Sequence, residues 1–247
     1  MKGVKTSITK EEERFSDLVY VAFASAIPRP VEENIIFVSA LLEVKSTTWI
    51  VDAGCGPGET SAQLLKWGNV IGIDISRKVL RMAQVGCPKA SFVRGDLLNL
   101  PIRDESVDVV VFWDSLHHLA DLGQAIEHSF RVLKPGGCLF AFEPNIHSYQ
   151  LIVFKCFYGN SLKSSHERAL SPFRLKALFL SAGFSPVLVR VVGIVPQRLY
   201  AKFGKIASRV FCQINWTFSK IPLLSLFGGR MCIYAVKKQL LEQAVLA

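Results

Sequence analysis

The chain has 247 residues, of which 50% are hydrophobic and 20% charged, with a formal net charge of +9. That composition buries one good core, so a single domain over residues 1–247 is expected and a disordered or fibrous chain is excluded. No charge-free apolar run reaches the roughly 18–20 residues of a bilayer-spanning helix.

Lys2, Lys5 and Lys10, followed by Glu11, Glu12 and Glu13, leave the start of the chain without an apolar signal core. A helical stretch is expected over 11–26. Six cysteines (Cys55, Cys87, Cys138, Cys156, Cys212 and Cys232) form no C-x-x-C pair. Scattered among apolar neighbours, they read as reduced thiols of a cytoplasmic protein, with no metal site.

The first clear strand runs over 48–51 and leads into Val51-Asp52-Ala53-Gly54-Cys55-Gly56-Pro57-Gly58-Glu59-Thr60, with a helix expected over 59–67. Gly54, Gly56 and Gly58 keep side chains from between the backbone and a ligand and tolerate the positive φ of a tight turn. The dinucleotide fingerprint G-x-G-x-x-G, read from Gly54, would put a glycine where Glu59 stands, which disfavours a nicotinamide dehydrogenase. The pattern present is D-x-G-x-G-x-G, led by Asp52. It resembles the first motif of the class I S-adenosylmethionine (SAM)-dependent methyltransferases.

The next strand, 70–74, ends in Asp74. A carboxylate at this spacing, on the carboxyl edge of an open α/β sheet, can accept both hydroxyls of an adenosine ribose; otherwise Asp74 would cap the helix beginning near Ser76. A third strand, 91–94, leads to Gly95-Asp96-Leu97. The resemblance implies that Asp96 accepts from the adenine amino group, that the backbone at Leu97 reads the ring, and that Ile75 packs on the adenine face. It also implies that Tyr20 covers the cofactor.

A turn at 104–106 precedes a buried strand ending in Trp113-Asp114, then Ser115-Leu116-His117-His118-Leu119. A helix is expected over 121–133, stopped by Lys134-Pro135-Gly136-Gly137, and a strand over 138–142 leads to Glu143-Pro144-Asn145. This run resembles the subgroup that includes the quinone-biosynthesis C-methyltransferases. The resemblance covers 45–145 well and 170–192 and 230–238 loosely. It implies an α/β, Rossmann-like, seven-stranded and mostly parallel sheet, with helices on both faces and an antiparallel closing strand. It implies SAM as cofactor, held by Asp52, Gly54, Gly56, Gly58, Asp74, Ile75, Asp96, Leu97, Trp113 and Tyr20. His117 and His118 stand where a general base is needed, the second being favoured by the resemblance, with Glu143 and Asn145 as further pocket candidates.

After that core, 172–182 reads as a helix and 184–192 and 231–237 as the closing strands. Two insertions, 146–170 and 193–229, exceed what that fold needs and predict a helical cap. In the second, Leu199, Phe203, Ile206, Val210, Ile214 and Phe218 fall three or four residues apart beside Arg198, Lys202, Lys205 and Arg209. That is a basic amphipathic helix, a lid or an interfacial segment suited to peripheral membrane or lipid contact. Between Arg168 and Leu241 stand twelve basic residues and no acidic one, more than the whole net charge of +9. Such asymmetry calls for an anionic partner, though no nucleic-acid signature is visible. The expected activity is methyl transfer to a small, apolar or lipid-like molecule. The alternatives are a protein or RNA methyltransferase using the basic third, or a SAM-binding module without turnover. Oligomeric state is not legible.

Overall fold

A computed structural model describes residues 47–148, 170–192 and 226–238. The 11–26 helix with Tyr20, most of the 146–170 insertion and the basic amphipathic segment lie outside the described residues, and with them the expected helical cap.

The strands are β1 (Trp49–Ala53), β2 (Asn69–Asp74), β3 (Ser91–Arg94), β4 (Val107–Trp113), β5 (Leu133–Pro144), β6 (Phe184–Val192) and β7 (Arg230–Lys237). They form one sheet in the order β3-β2-β1-β4-β5-β7-β6. β1 to β5 are parallel, and β7 runs antiparallel to both its neighbours. In register, Val51 faces Ile71 on one side and Val110 on the other. Their Val/Ile-rich runs suit strands covered on both faces.

The helices are α1 (Glu59–Leu64), α2 (Arg77–Gly86), α3 (Leu122–Val132) and α4 (Pro172–Ser181). Alternate side chains of the central strands enter two cores. Val51, Ile73, Val110 and Phe112 pack with Ile126 of α3 and Leu175 and Phe179 of α4, whereas Ile50, Val70, Val109 and Val111 pack with Leu64 of α1. The expected sheet, with helices on both faces, is what the chain forms.

Local chemistry sets the element ends. α1 stops at Leu64 rather than near residue 67, because Lys66 and Trp67 close a turn on Gln63 and Leu64 carbonyls before Gly68. A Cβ on Gly68 would sit 2.3 Å from the Thr48 carbonyl oxygen. Ser76 caps α2, its Oγ accepting from Val79 N–H at 3.3 Å, and Asp121 caps α3 through Gln124 N–H at 3.0 Å. β5 begins at Leu133, five residues before the predicted strand. Leu133 pairs with Val107, and the ladder resumes at Val109–Cys138, so the irregularity there absorbs Pro135 and the left-handed Gly136 (φ 82°). Pro172 opens α4, and Gly183 (φ 98°) turns the chain into β6. There Phe184 meets Phe130 and Phe179 edge-on.

Asp52, on β1, is wholly buried. Its Oδ2 accepts from the Ser61 hydroxyl at 2.6 Å, and Oδ1 has no hydrogen-bond donor among the described residues. Burial pushes this carboxyl up to about 7; the Ser61 hydroxyl opposes the shift and the nearby Asp74 charge adds to it. The folded state therefore holds this proton where an unfolded aspartate, near pH 4, has lost it. Between about pH 4 and 7 the native state binds more protons here, so the Asp52 contribution to stability falls as pH rises and levels off above about 7. Asp52→Asn removes the titration while keeping the shape. The unfolding free energy of D52N minus that of the parent, from urea melts, should climb from pH 5 to 7 by up to about 1.4 kcal/mol per pH unit. A flat difference over that range would assign the proton elsewhere.

Candidate cofactor and acceptor site

The strand order reverses between β1 and β4, which opens a crevice at the carboxyl edge. Every residue singled out in 51–118 lies on or near that edge. Gly54 and Cys55 N–H groups both donate to the Ile73 carbonyl, at 2.8 and 3.1 Å, which ties the turn to β2. Gly54 has φ 79°, and a Cβ there would lie 2.5 Å from Ser115 Cβ, so both backbone and space demand glycine. Gly56 (φ 54°) and Gly58 (φ 86°) complete the left-handed path.

Asp74 ends β2 and is 8% exposed. Its Oδ2 accepts from Gly56 N–H at 3.1 Å and its Oδ1 from Ser76 N–H at 2.9 Å. Ser76, not Asp74, caps the following helix, so the carboxylate stands over the glycine turn. Ile75 beside it is half-buried, and its carbonyl accepts from Arg94 Nε at 2.9 Å. Asp96 is half-buried after β3, with Oδ1 accepting from Leu98 N–H at 2.8 Å; Leu97 is buried. α3 holds this loop through Gln124 Nε2 to Leu98 O and Arg131 to Leu100 O and Ile102 O.

Two predicted residues sit deeper than the sequence suggested. Asp52 is sealed beneath the turn and acts on it through Ser61 of α1. Trp113 stacks on Phe142, with ring centroids 4.7 Å apart, and Trp67 packs on the same cluster. Tyr20 lies outside the described residues.

Beyond β4, Asp114 takes a left-handed backbone (φ 54°), and a short 3₁₀ turn, Leu116–His118, follows. Glu143, fully buried near the end of β5, grips this segment. Its Oε1 accepts from Ser115 and Leu116 N–H at 3.0 and 2.8 Å. Its Oε2 accepts from His117 N–H at 3.4 Å and meets His117 Nδ1 at 2.7 Å. Where Glu143 is ionised it only accepts, so Nδ1 carries the hydrogen of this contact. His118 differs: its ring lies 3.9 Å from that of His117, and burial, then the neighbouring ring, push it down to about 3 against the pull of Asp114. It is neutral at physiological pH. Asn145 serves as a clamp, with Nδ2 donating to Leu226 O and Gly228 O, both at 2.8 Å.

The sequence reading missed Asp114 and Arg230. Arg230, the first residue of β7, forms a two-pronged pair with Asp114: Nη1 bonds Oδ1 and Nη2 meets Oδ2 at 2.9 Å. Its guanidinium lies 5.3 Å from the Phe142 ring centre. Burial works against its charge, but Asp114 and, more weakly, Glu143 raise its pKa. Among the twelve basic residues nothing local marked Arg230. Asp114, His117 and Glu143 bring polar atoms within 4.8 Å of one another, but Arg230, the backbone N–H groups and Nδ1 already occupy them. The donor set suits an adenosine: a glycine turn free of side chains, one carboxylate above it and a second after the next strand.

The family model described as "Methyltransferase domain" matches residues 51–141. A probable S-adenosylmethionine-dependent methyltransferase of Mycolicibacterium smegmatis is 33% identical over 136 residues, covering 55% of this chain and 51% of that protein. A demethylmenaquinone methyltransferase of Listeria monocytogenes is 28% identical over 175 residues, covering 60% and 74%. The chain thus spans about half the length of the first of these relatives. Among solved structures, a SAM-dependent methyltransferase of Thermotoga maritima, titled a possible histamine N-methyltransferase, superposes with TM-score 0.66 at 20% identity, over 93% of this chain and 99% of that one. One from Archaeoglobus fulgidus gives 0.61 at 20% identity, over 84% and 92%. At that identity these structures speak for the fold alone. Residues 51–141 therefore match a methyltransferase domain, and the chain is similar there to a probable S-adenosylmethionine-dependent methyltransferase.

Proposed function

We propose that this protein, as a single domain, transfers the methyl group of SAM to a small, apolar, lipid-like acceptor, with His117 as the proton acceptor. The observation that carries the reading is the His117–Glu143 contact of 2.7 Å beside the glycine turn. SAM supplies an electrophilic methyl group on a positively charged sulfur. Asp74 then receives the ribose hydroxyls, Asp96 the adenine amino group, and Ile75 and Leu97 flank the ring. Asp52 and the three glycines shape the turn, Trp113 stiffens its far wall, and Tyr20 covers it.

Glu143 fixes the His117 ring through Nδ1, so Nε2 is the atom that takes the proton from the acceptor as its O–H or acidic C–H becomes O–CH₃ or C–CH₃. His118, neutral and packed at a tilt against that ring, excludes water and keeps it in place. Alignment of the two reactants and removal of solvent carry the remainder of the rate. The Phe-, Leu- and Ile-rich insertions 146–170 and 193–229 supply the apolar cover. Asn145 ties down residues 226–228, the end of the second insertion. A relative named for a demethylated menaquinone supports a lipid-like acceptor of quinone-biosynthesis type. We place the protein in the cytoplasm, meeting the membrane surface through 193–229. The twelve basic residues of the last third favour one rival, a protein or RNA acceptor.

Three measurements test this reading. Asp74→Ala, which removes charge-assisted hydrogen bonds of about 1.5–3 kcal/mol each, should abolish SAM binding by calorimetry. Parent-like affinity in D74A would misplace the cofactor. His117→Gln should keep SAM affinity and lower methyl transfer on the order of 10²–10⁴-fold; an unchanged rate removes His117 from the chemistry. Radiolabelled methyl from SAM, offered with a whole-cell extract, should partition into the organic phase. Label in precipitated protein or RNA would establish the rival acceptor, and no transfer at all a binding module.

A further inference from the structure

Arg230 stands at the start of β7, 116 residues from the aspartate it grips. The two meet at the carboxyl edge because β7 lies antiparallel to β5 and Arg230 pairs with Pro144, next to Glu143. Asp114 reaches the same point from the other side, its N–H bonded to Phe142 O at 2.9 Å. Two carboxylates are thereby held with the His117 ring, all three polar atoms within 4.8 Å. Both side chains of the ion pair are largely buried, at 23% and 20% exposure. Charges at such short range and partial burial act on one another strongly.

The described elements bring these titratable and charged groups to the His117 ring: Glu143 from β5, Asp114 and His118 from its own segment, and Arg230 from β7. His118 adds no charge. The bookkeeping is then simple: Asp114 and Glu143 each contribute one negative charge, and Arg230 one positive. Among these described groups the ring faces one net negative charge with Arg230 in place and two without it.

We infer that Arg230 is a positioning residue for the reaction: by neutralising Asp114 it leaves the His117 ring under the influence of Glu143 alone, so that the ring is unprotonated and ready to accept a proton near neutral pH. Without Arg230, Asp114 and Glu143 together hold the proton on the ring and block its use as a base. The pair also explains why Asp114 occupies a left-handed backbone, a conformation aspartate tolerates better than most residues: it turns the carboxylate onto β7. This inference rests on the reading of His117 as the base.

The test reads the ring directly, without any acceptor. In the full-length protein labelled with ring-¹³C histidine, the His117 resonance, identified by its loss in H117Q, is titrated by NMR. Arg230→Met should raise its midpoint by about one pH unit, and Asp114→Asn should lower it by about the same amount. The D114N/R230M double variant should return to within about 0.3 units of the parent. Arg230→Lys, which keeps the charge and loses the fork, should stay close to the parent. Shifts of the same sign in R230M and D114N, or none, overturn the inference, as does an R230K shift matching R230M. Should R230M fail to fold, the near-isosteric D114N decides alone, a midpoint that does not fall being the overturning result. Methyl transfer by H117Q tests the base itself, so the two readings fail separately.

Discussion

The carboxylate of Glu143 is the interaction on which the acceptor side of the site depends. It is fully buried, and both its oxygens are spent on the segment after β4: three backbone N–H groups and one imidazole nitrogen. A carboxylate taken out of water is costly unless such donors surround it, and hydrogen bonds to a charged group contribute about 1.5–3 kcal/mol each. Removing any of these donors leaves the others less able to offset that cost. The 3₁₀ turn, the orientation of His117 and the close approach of β4 to β5 therefore stand together. Ser115, whose N–H is one of the donors, also sends its hydroxyl to the Ala53 carbonyl at 2.7 Å. The acceptor side is thus bolted to the last residue of β1, where the cofactor turn begins.

Buried carboxylates organise the other side too, in a different way. Asp74 spends its oxygens on the N–H groups of Gly56, 18 residues before it, and Ser76, two residues after it. Those bonds tie the glycine turn and the N-cap of α2 to a single carboxylate. Asp52 is the exception, with one oxygen lacking a donor among the described residues. Its raised pKa is the alternative way out: a buried acid that cannot be satisfied as an anion keeps its proton. Glu143, Asp74 and Asp52, three carboxyl groups at one sheet edge, thus carry different jobs, set by what each one touches.

How much of this was legible follows from range along the chain. The glycine turn, Asp74 and Asp96 are readable because strand, turn and acid recur within a short stretch, and the structure places each at the predicted strand end. The strand alternation likewise dictated the sheet. Helix ends shifted where a turn competed, as at Trp67, and β5 began early because Leu133 could pair across an irregular ladder around Pro135 and Gly136. The choice between His117 and His118 was not legible. Adjacent residues share every local signal, and only the fold shows which ring meets Glu143, 26 residues on. Trp113 reads as a pocket aromatic in sequence and turns out to stack on Phe142, because strand alternation sends it to the α1 side of the sheet.

Arg230 was the least legible of all, and the reason is physical. A sequence reading sees charge as composition, and the basic last third suggests a surface seeking an anionic partner. For Arg230 the anionic partner is internal. The antiparallel turn of β7 carries the residue to the carboxyl edge, where Asp114 receives it. Lys237, at the other end of the same strand, is likewise buried, with Nζ on Leu133 O at 2.8 Å and Glu105 at 3.0 Å. Two of the twelve basic residues therefore fasten β7 at its two ends to acids that precede it by more than a hundred residues. The charge excess that remains for an external partner is smaller than the sequence implies. Since β7 follows the second insertion, the Arg230–Asp114 pair anchors the strand at the end where that insertion joins it.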